Sequence, residues 1–315
     1  MNVPKKIKNL IKKNDEIAYR LKAFTIAFAM IKTKIVSDEN EIKSQYKRKL
    51  GRDLDLNNPN LYNEKIQWLK LNFRDELLNV CVDKHEVRNY VKTKLPNADQ
   101  ILIPQLGIYN DVNEIDFSQL PKQFILKLTN GSSFNYICFD KKKRGEIKKI
   151  KNRFKLWSKL NYYAIGREWA YRDVKNRIVC EELILSAQGN PPEDYRFFCF
   201  GGKVKIITVD LESVVDGVKT SDYHRKIYDT DWNAIEATIE YPDKPELFIE
   251  KPKLLTEMIE VAERLAEDFP AVRVDFYSFE DKFYFGELTF YHASGYQKIS
   301  PLDFEEKMGE WLQLS

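Results

Sequence analysis

Two segments of this chain read as strands that turn straight back on themselves, and nothing else in the sequence limits the fold as much. Tyr195 to Phe200 and Lys203 to Val209 flank Gly201-Gly202, a pair that supplies the positive φ a two-residue hairpin turn wants. Val272 to Tyr277 and Phe283 to Phe290 flank a turn over Glu280-Asp281. Strands joined so tightly pair antiparallel, because a parallel partner needs a long crossover. Between the hairpins, Leu254 to Phe269 repeats its apolar residues at helical spacing and stops at Pro270. The class is therefore α+β with largely antiparallel sheets.

The rest of the chain fits that class. Glu64 to Leu71, Val87 to Leu95, Glu146 to Leu160 and Phe304 to Leu312 read as helices. Ile101 to Pro104 and Gly107 to Tyr109 read as extended pieces. Phe124 to Thr129, Ile137 to Phe139 and a long run from Arg177 to Leu185 read as strands. Breaks at Asn57-Asn58-Pro59-Asn60 and Leu120-Pro121 divide the 315 residues into a helical arm (1–50), a helical region (51–120) and two α+β parts (121–182 and 183–315).

Charge is uneven. Residues 1–50 hold 13 of the 51 Lys and Arg but 5 of the 48 Asp and Glu, so the arm carries +8 and the remainder −5. A mildly acidic body argues against nucleic acid as a partner. In the arm, Ile7, Leu10, Ile11 and Ile17 recur at roughly helical spacing among Lys5, Lys6, Lys8, Lys12 and Lys13. Two readings stand: a basic amphipathic helix on an anionic membrane surface or membrane-bound partner through residues 1–36, or a helix packed on its own domain. No run reaches the ~20 apolar residues of a membrane span. Four scattered cysteines and no secretory signal pattern point to the cytoplasm, with peripheral attachment at the inner face of the membrane if the arm binds lipid.

Three constellations carry chemistry. In the second hairpin, a loop of residues 280–282 pairs Phe279 with Phe283 and sets Asp275 opposite Glu287. Arg273, Asp275 and Tyr277 then share a face with Phe285, Glu287 and Thr289. Opposed carboxylates repel unless compensated. Arg273 or a hard cation such as Mg²⁺ would do it, with Thr289 as a hydroxyl neighbour. Secondly, Lys127 interrupts an apolar strand just before Asn130-Gly131-Ser132-Ser133, a strand lysine and flexible loop suited to phosphate. Thirdly, Glu181 and Glu182 lie in a strand with Asp194 ahead of the next, which suits either surface pairing or a nucleotide hinge. His224-Arg225 reads as a surface loop or a contact for a substrate anion. No Walker A loop, dinucleotide fingerprint or nucleophile elbow is present.

Taken in order, these segments resemble the TupA-like branch of the ATP-grasp superfamily, associated with teichuronopeptide and other bacterial surface-polysaccharide biosynthesis. The resemblance runs from about Leu54 to Leu314. It rests on Leu61-Tyr-Asn-Glu-Lys-Ile-Gln-Trp-Leu69, Val82-Asp-Lys-His-Glu-Val-Arg-Asn-Tyr90, Phe124 to Ser133 and Gly166-Arg-Glu-Trp169. Asp194-Tyr-Arg-Phe-Phe-Cys-Phe200, Tyr228-Asp-Thr-Asp-Trp232, Val272 to Tyr277 and Phe285 to Phe290 complete it.

The resemblance implies an ATP-grasp fold in which two α+β subdomains sandwich the nucleotide, preceded by a helical region. It implies ATP and Mg²⁺ as cofactors. Lys84 and Lys127 would contact the nucleotide, and Gly131, Ser132 and Ser133 would form the phosphate loop. Glu181, Glu182, Leu183 and Ile184 would be the adenine hinge, Asp194 would lie near the ribose, and Lys205 would reach a phosphate. Asp275 and Glu287 would hold the metal, and Arg273 would neutralise the transferring phosphoryl group. Thr289 stands where the superfamily often has Asn. His292 stands where this branch more often has Pro or Gly, which with His224 and Arg225 makes it a candidate for substrate choice. The implied activity is a carboxylate–amine ligase of a surface-polysaccharide pathway, acting through an acyl phosphate on a small-molecule or glycan substrate. The alternatives are a glycosyltransferase or glycan phosphotransferase of that pathway, or a degenerate scaffold that recruits partners through the arm.

Overall fold

The structure, a computed structural model, describes residues 15–186, 189, 192–211, 214–215, 218–219, 224–279 and 281–314. The arm residues Ile7, Leu10, Ile11 and the lysines around them lie outside the described residues.

In chain order the elements begin with helices α1 (Asp15–Lys32), α2 (Asp38–Leu50), α3 (Tyr62–Asn72), α4 (Glu76–Val82), α5 (Val87–Lys94) and α6 (Ala98–Ile101). Strands β1 (Gln105–Tyr109), β2 (Phe124–Leu128) and β3 (Asn135–Cys138) come next, then α7 (Glu146–Trp157), α8 (Tyr163–Gly166) and β4 (Ile178–Glu181). Strands β5 (Glu193–Phe200), β6 (Lys203–Leu211), β7 (Val214–Val215), β8 (Val218–Lys219), β9 (His224–Tyr228) and β10 (Thr238–Ile239) lead to α9 (Leu255–Ala266). The chain closes with β11 (Ala271–Phe279), β12 (Lys282–Thr289), β13 (Ile299–Ser300) and α10 (Leu302–Trp311). No described helix is long and apolar enough to cross a membrane.

The chain divides into two compact units, 1–40 with 105–183, and 41–104 with 184–315. Unit 1 is a four-stranded antiparallel sheet in the order β1-β4-β2-β3. Alternation along β2 sends Phe124, Leu126 and Leu128 into a core shared with Ile150, Phe154 and Trp157 of α7 and Tyr19, Ala23 and Ile26 of α1. Ile125 and Lys127 take the opposite face.

Unit 2 is a five-stranded antiparallel sheet in the order β12-β11-β5-β6-β9. Gly201 (φ +51°) and Gly202 (φ +75°) make the β5–β6 turn, where Phe200 pairs with Lys203. One sheet face, with Val272, Val274, Phe276, Phe197 and Cys199, packs toward α9, and the Cys199 thiol lies 3.9 Å from the Ala262 carbonyl. The other face carries the charged residues described below.

The structure corrects four local expectations. The run Arg177–Leu185 is a strand only over Ile178–Glu181. β1 begins at Gln105, opposite Glu181, and the pairing with β2 stops at Ile125, one residue inside that strand, so the ladder ends at Glu181. Ile101 ends the single turn of α6, Leu102 is already extended in an isolated parallel bridge with Phe285, and the strand itself starts at Gln105 rather than Ile101. In the second hairpin Phe279 pairs with Lys282, not Phe283, and a bulge at Gly286 follows. That bulge puts Phe285 opposite Phe276, on the apolar face and not beside Glu287.

Candidate active site

In unit 2 the hairpin register and bulge together set Asp275 opposite Glu287 and Arg273 opposite Thr289. Glycine suits the bulge, because a Cβ on Gly286 would stand only 3.0 Å from the Asp275 carbonyl oxygen. The Arg273 guanidinium donates from Nε and Nη2 to the two oxygens of Asp275, at 2.6 and 2.5 Å, a bidentate pair. Its Nη2 also donates to Thr289 Oγ1 at 3.2 Å and lies 3.6 Å from Glu287 Oε1. Thr289 in turn donates to Glu287 at 3.3 Å.

The neighbouring strands extend this network. Arg196 on β5 stands opposite Asp275 in register, donates to Asp194 Oδ2 at 2.6 Å, and bonds Asp210 on β6 through Nη1. Arg225 on β9 donates to both oxygens of Asp210, at 2.6 and 3.1 Å. Four carboxylates (Asp194, Asp210, Asp275, Glu287) thus share one sheet face with three guanidiniums (Arg196, Arg225, Arg273). Among these named side chains, carboxylates outnumber guanidiniums by one. Burial pushes the Asp275 carboxyl up to about 7, against the pull of Arg273, and Asp194 and Glu287 push the same way.

That imbalance tests whether a cation fits. Mg²⁺ takes oxygen ligands and is commonly held by one or two carboxylates, with phosphates and water completing the shell. Asp275 and Glu287 supply such a pair, and the Glu287 side chain is 38% exposed, within reach of a ligand from solvent. Among the described residues no group of three or more His, Cys, Asp or Glu could hold a metal ion. The protein's share here is two carboxylates, with the Thr289 hydroxyl orienting Glu287.

The segment after β12 is held from behind. Ala293, Ser294 and Gly295 run through three successive left-handed conformations, φ +43°, +61° and +67°. Such backbone persists only where its surroundings enforce it. Gln67 of α3 donates to the Ser294 and Gly295 carbonyls at 3.1 and 2.6 Å, and Lys70 to the Ser294 hydroxyl at 3.2 Å. Asn63 donates to the Gln297 carbonyl at 2.9 Å and to Glu305 at 2.7 Å. The buried polar side chains of the Leu61–Leu69 motif thereby brace this turn. His292, at its start, is buried with its ring 4.7 Å from that of Phe198. Burial, then the charges of Arg273, Arg225 and Arg196, hold its imidazole neutral, well below the usual histidine range.

In unit 1, Lys127 lies on the sheet face opposite the core and pairs with Glu181 on β4 at 2.7 Å, both side chains largely buried. After β2 comes the loop of Gly131, Ser132 and Ser133. Gly131 (φ +101°) sits where a Cβ would come within 2.8 Å of Tyr162 Cβ, and Ser133 is also left-handed (φ +60°). Lys22 of α1 donates to the Ser132 and Ser133 carbonyls at 2.9 and 3.1 Å. Asn130 donates to the Val174 carbonyl at 2.8 Å. The loop is thus anchored through its carbonyls and its preceding side chain, while the two serine side chains stay exposed.

The remaining sequence candidates fall as follows. Glu182, Leu183 and Ile184 follow β4 in non-strand chain, and the unit division passes between Leu183 and Ile184. Lys84 belongs to unit 2, in the turn between α4 and α5, beside Asp83, whose carboxylate accepts from the backbone of His85 and Glu86. Lys205 is exposed, at the bulge where the β5–β6 register passes from Ile206 to Val204. His224 opens β9 opposite Leu211. Arg225 is buried on Asp210 and the Ile239 carbonyl, so its guanidinium serves the network.

Sequence reasoning did not single out Arg196 or Asp210. Asp194 and Arg196 share a strand face by alternation, but counting from the Phe200–Lys203 pair sets Val209 opposite Asp194, and only the bulge at Lys205 brings Asp210 onto that face.

Solved structures with a similar chain path include D-alanine–D-alanine ligase from Helicobacter pylori (15% identity over 80% of this chain and 66% of that one, TM-score 0.43). The same enzyme from Bacillus anthracis (18%, 68% and 58%, TM-score 0.39) and the ATP-grasp ligase PsnB with a minimal precursor (14%, 68% and 52%, TM-score 0.38) are others. The chain spans about half to two thirds of the length of these proteins. No curated protein sequence matches it. A family model does, that of the TupA-like ATP-grasp proteins, over residues 64–313. That span contains the paired carboxylates with Arg273, the strand lysine with its loop, and the α3 brace, and the chain belongs to the TupA-like ATP-grasp family.

Proposed function

We propose that the protein is an ATP- and Mg²⁺-dependent carboxylate–amine ligase. The observation that carries this reading is the opposed Asp275–Glu287 pair with Arg273 clasped to Asp275, in a chain of an ATP-grasp family. When bound, Mg-ATP supplies the phosphoryl group that activates a substrate carboxylate. The γ-phosphorus–oxygen bond to ADP breaks, one to the carboxylate oxygen forms, and an amine then displaces phosphate to give an amide and lose a proton.

The chain's own residues position and neutralise. Asp275 and Glu287 hold the metal, and Arg273 offsets charge on the phosphoryl group and the acyl phosphate. Lys127 and the backbone of Gly131, Ser132 and Ser133 contact phosphate oxygens, with Lys84 and Lys205 as further nucleotide contacts. Glu181 to Ile184 form the adenine hinge and Asp194 faces the ribose. His224 bears on the acceptor directly, and the buried Arg225 and His292 only through the charged network they adjoin. In this reading residues 121–182 and 183–315 are the two ATP-grasp subdomains.

The pathway is that of a bacterial surface polysaccharide in the cytoplasm, with a uronic-acid carboxylate as acyl donor and an amino acid or amino sugar as acceptor. Residues 1–36 form a peripheral contact with the membrane or its polysaccharide machinery. The test is ADP release measured with uronic acids and a panel of amines. ADP formation that requires both substrates, with an amide in the product, is expected. Phosphate retained on the sugar makes the protein a phosphotransferase, and consumption of a nucleotide sugar without ADP makes it a glycosyltransferase.

A further inference from the structure

Of the eleven large apolar side chains left exposed among the described residues, six lie on one stripe: Ile17, Leu21, Phe24, Phe28 and Ile31 of α1, then Ile35 just beyond it. Their spacing of four, three, four, three and four keeps them on a single helix face. The opposite stripe, Tyr19, Ala23 and Ile26, is buried in the unit 1 core with Met30 packed against it. The helix is therefore apolar on two sides. Its inner side satisfies the packing of the domain, so its outer side needs another explanation. Phe24 and Phe28 are 72% and 64% exposed, which is costly for a surface with no occupant.

Charge identifies the occupant. Residues 1–36 hold nine Lys and Arg, among them Arg20, Lys22, Lys32 and Lys34, against two acidic residues, Asp15 and Glu16 at the start of α1. A second copy laid against this face would set like charges together along the helix. A bilayer surface rich in anionic headgroups offers opposite charge at the rim and apolar depth beneath it. A helix of this length, about 27 Å at ~1.5 Å per residue, suits lying in the plane of the interface.

We propose that the outer face of α1 (Phe24, Phe28 and Ile31 at its centre) inserts into the interface of an anionic membrane. The basic residues before and after it meet the headgroups. This deepens the membrane reading of residues 1–36 by naming the inserting face, and it is independent of the ligase reading.

The test uses the full chain in co-sedimentation with vesicles of equimolar phosphatidylglycerol and phosphatidylcholine, against vesicles of phosphatidylcholine alone. The wild type binds the anionic vesicles and releases with added salt. The double variant Phe24→Ser, Phe28→Ser, whose positions lie outside the core, keeps its thermal transition and binds at least about tenfold more weakly. A Phe24→Trp variant gains fluorescence that brominated lipid quenches. Equal binding by wild type and double variant, with no quenching at position 24, overturns the assignment of the face while the basic arm keeps its membrane role. Absence of wild-type binding to anionic vesicles overturns both. A concentration-dependent dimer that the double variant abolishes overturns the proposal in favour of a second copy.

Discussion

The two units hold charge by opposite means. Unit 1 has one largely buried ion pair at its candidate site, Lys127 with Glu181, and its loop is arranged through backbone groups. Unit 2 crowds three guanidiniums and four carboxylates onto one sheet face, each holding others in place. A pair next to a loop of small residues can yield to a ligand, whereas a network of bidentate bonds resists movement. On the proposed function, unit 1 would adapt around phosphate, and unit 2 would present fixed charge to a metal.

The comparison breaks most easily at Glu287. It is the most exposed carboxylate of the unit 2 cluster, so Glu287→Gln removes the proposed metal ligand and leaves the buried pairs intact. ADP release at saturating Mg-ATP should fall by roughly 10²- to 10³-fold with the thermal transition unchanged. Normal turnover would reject the metal assignment. Asp275→Asn is a poorer probe, because it also strands Arg273 in a buried site.

Arg196 gives the next effect, on stability. Arg196→Met leaves Asp194 and the buried Asp210 and Asp275 short of a counter-charge, and a broken buried ion network costs about 3–5 kcal/mol. Urea unfolding should register that loss. If Arg196→Met unfolds at the wild-type midpoint, unit 2 is not the rigid partner argued above.

Lys127 separates structure from function in unit 1. Lys127→Met removes a charge-assisted contact of about 1.5–3 kcal/mol, so the apparent KM for ATP should rise roughly 10- to 100-fold. It also leaves Glu181 unpaired in a largely buried place, which lowers stability. The exchanged pair Lys127→Glu with Glu181→Lys should recover stability and not ATP affinity. Recovery of both would make the lysine a structural ion-pair partner only.

These differences also decide what was legible in the sequence. A lysine in an apolar strand before Asn-Gly-Ser-Ser announces itself, because burying its charge alone is unfavourable. The Asp275–Glu287 pairing was reached from a loop one residue too long and a ladder without a bulge, and those two errors cancel. Phe285 exposes them, since it faces the core. Register of this kind depends on a bulge set by Gly286 against the Asp275 carbonyl, which period-two alternation cannot encode. Arg196 and Asp210 stayed hidden because each looks ordinary on its own strand and gains meaning only across β5, β6 and β11. The end of β4 is hidden for the same reason, being fixed by where its pairing with β1 and β2 stops. The outer face of α1 was underestimated because its aromatic residues lie past the lysine-rich segment that drew the membrane reading.

The smallest effects belong to the unit 1 loop, and they test whether its backbone shape matters. Gly131→Ala places a methyl group against Tyr162 at a φ of +101°, where L side chains are strained, at a cost of roughly 1–3 kcal/mol. Ser133 is the mirror case, a serine already held left-handed at +60°, with its carbonyl bonded to Lys22. Ser133→Gly removes that local strain while giving the unfolded chain more freedom, so stability should stay within about 0.5 kcal/mol. If the loop works through backbone N–H groups, Gly131→Ala raises the KM for ATP by more than its stability loss alone would, and Ser133→Gly barely moves it. A large rise for Ser133→Gly with none for Gly131→Ala would mean that the hydroxyl carries the contact. Unit 1 would then recognise phosphate through side chains, as unit 2 recognises metal, and the contrast between the two would be one of charge density alone.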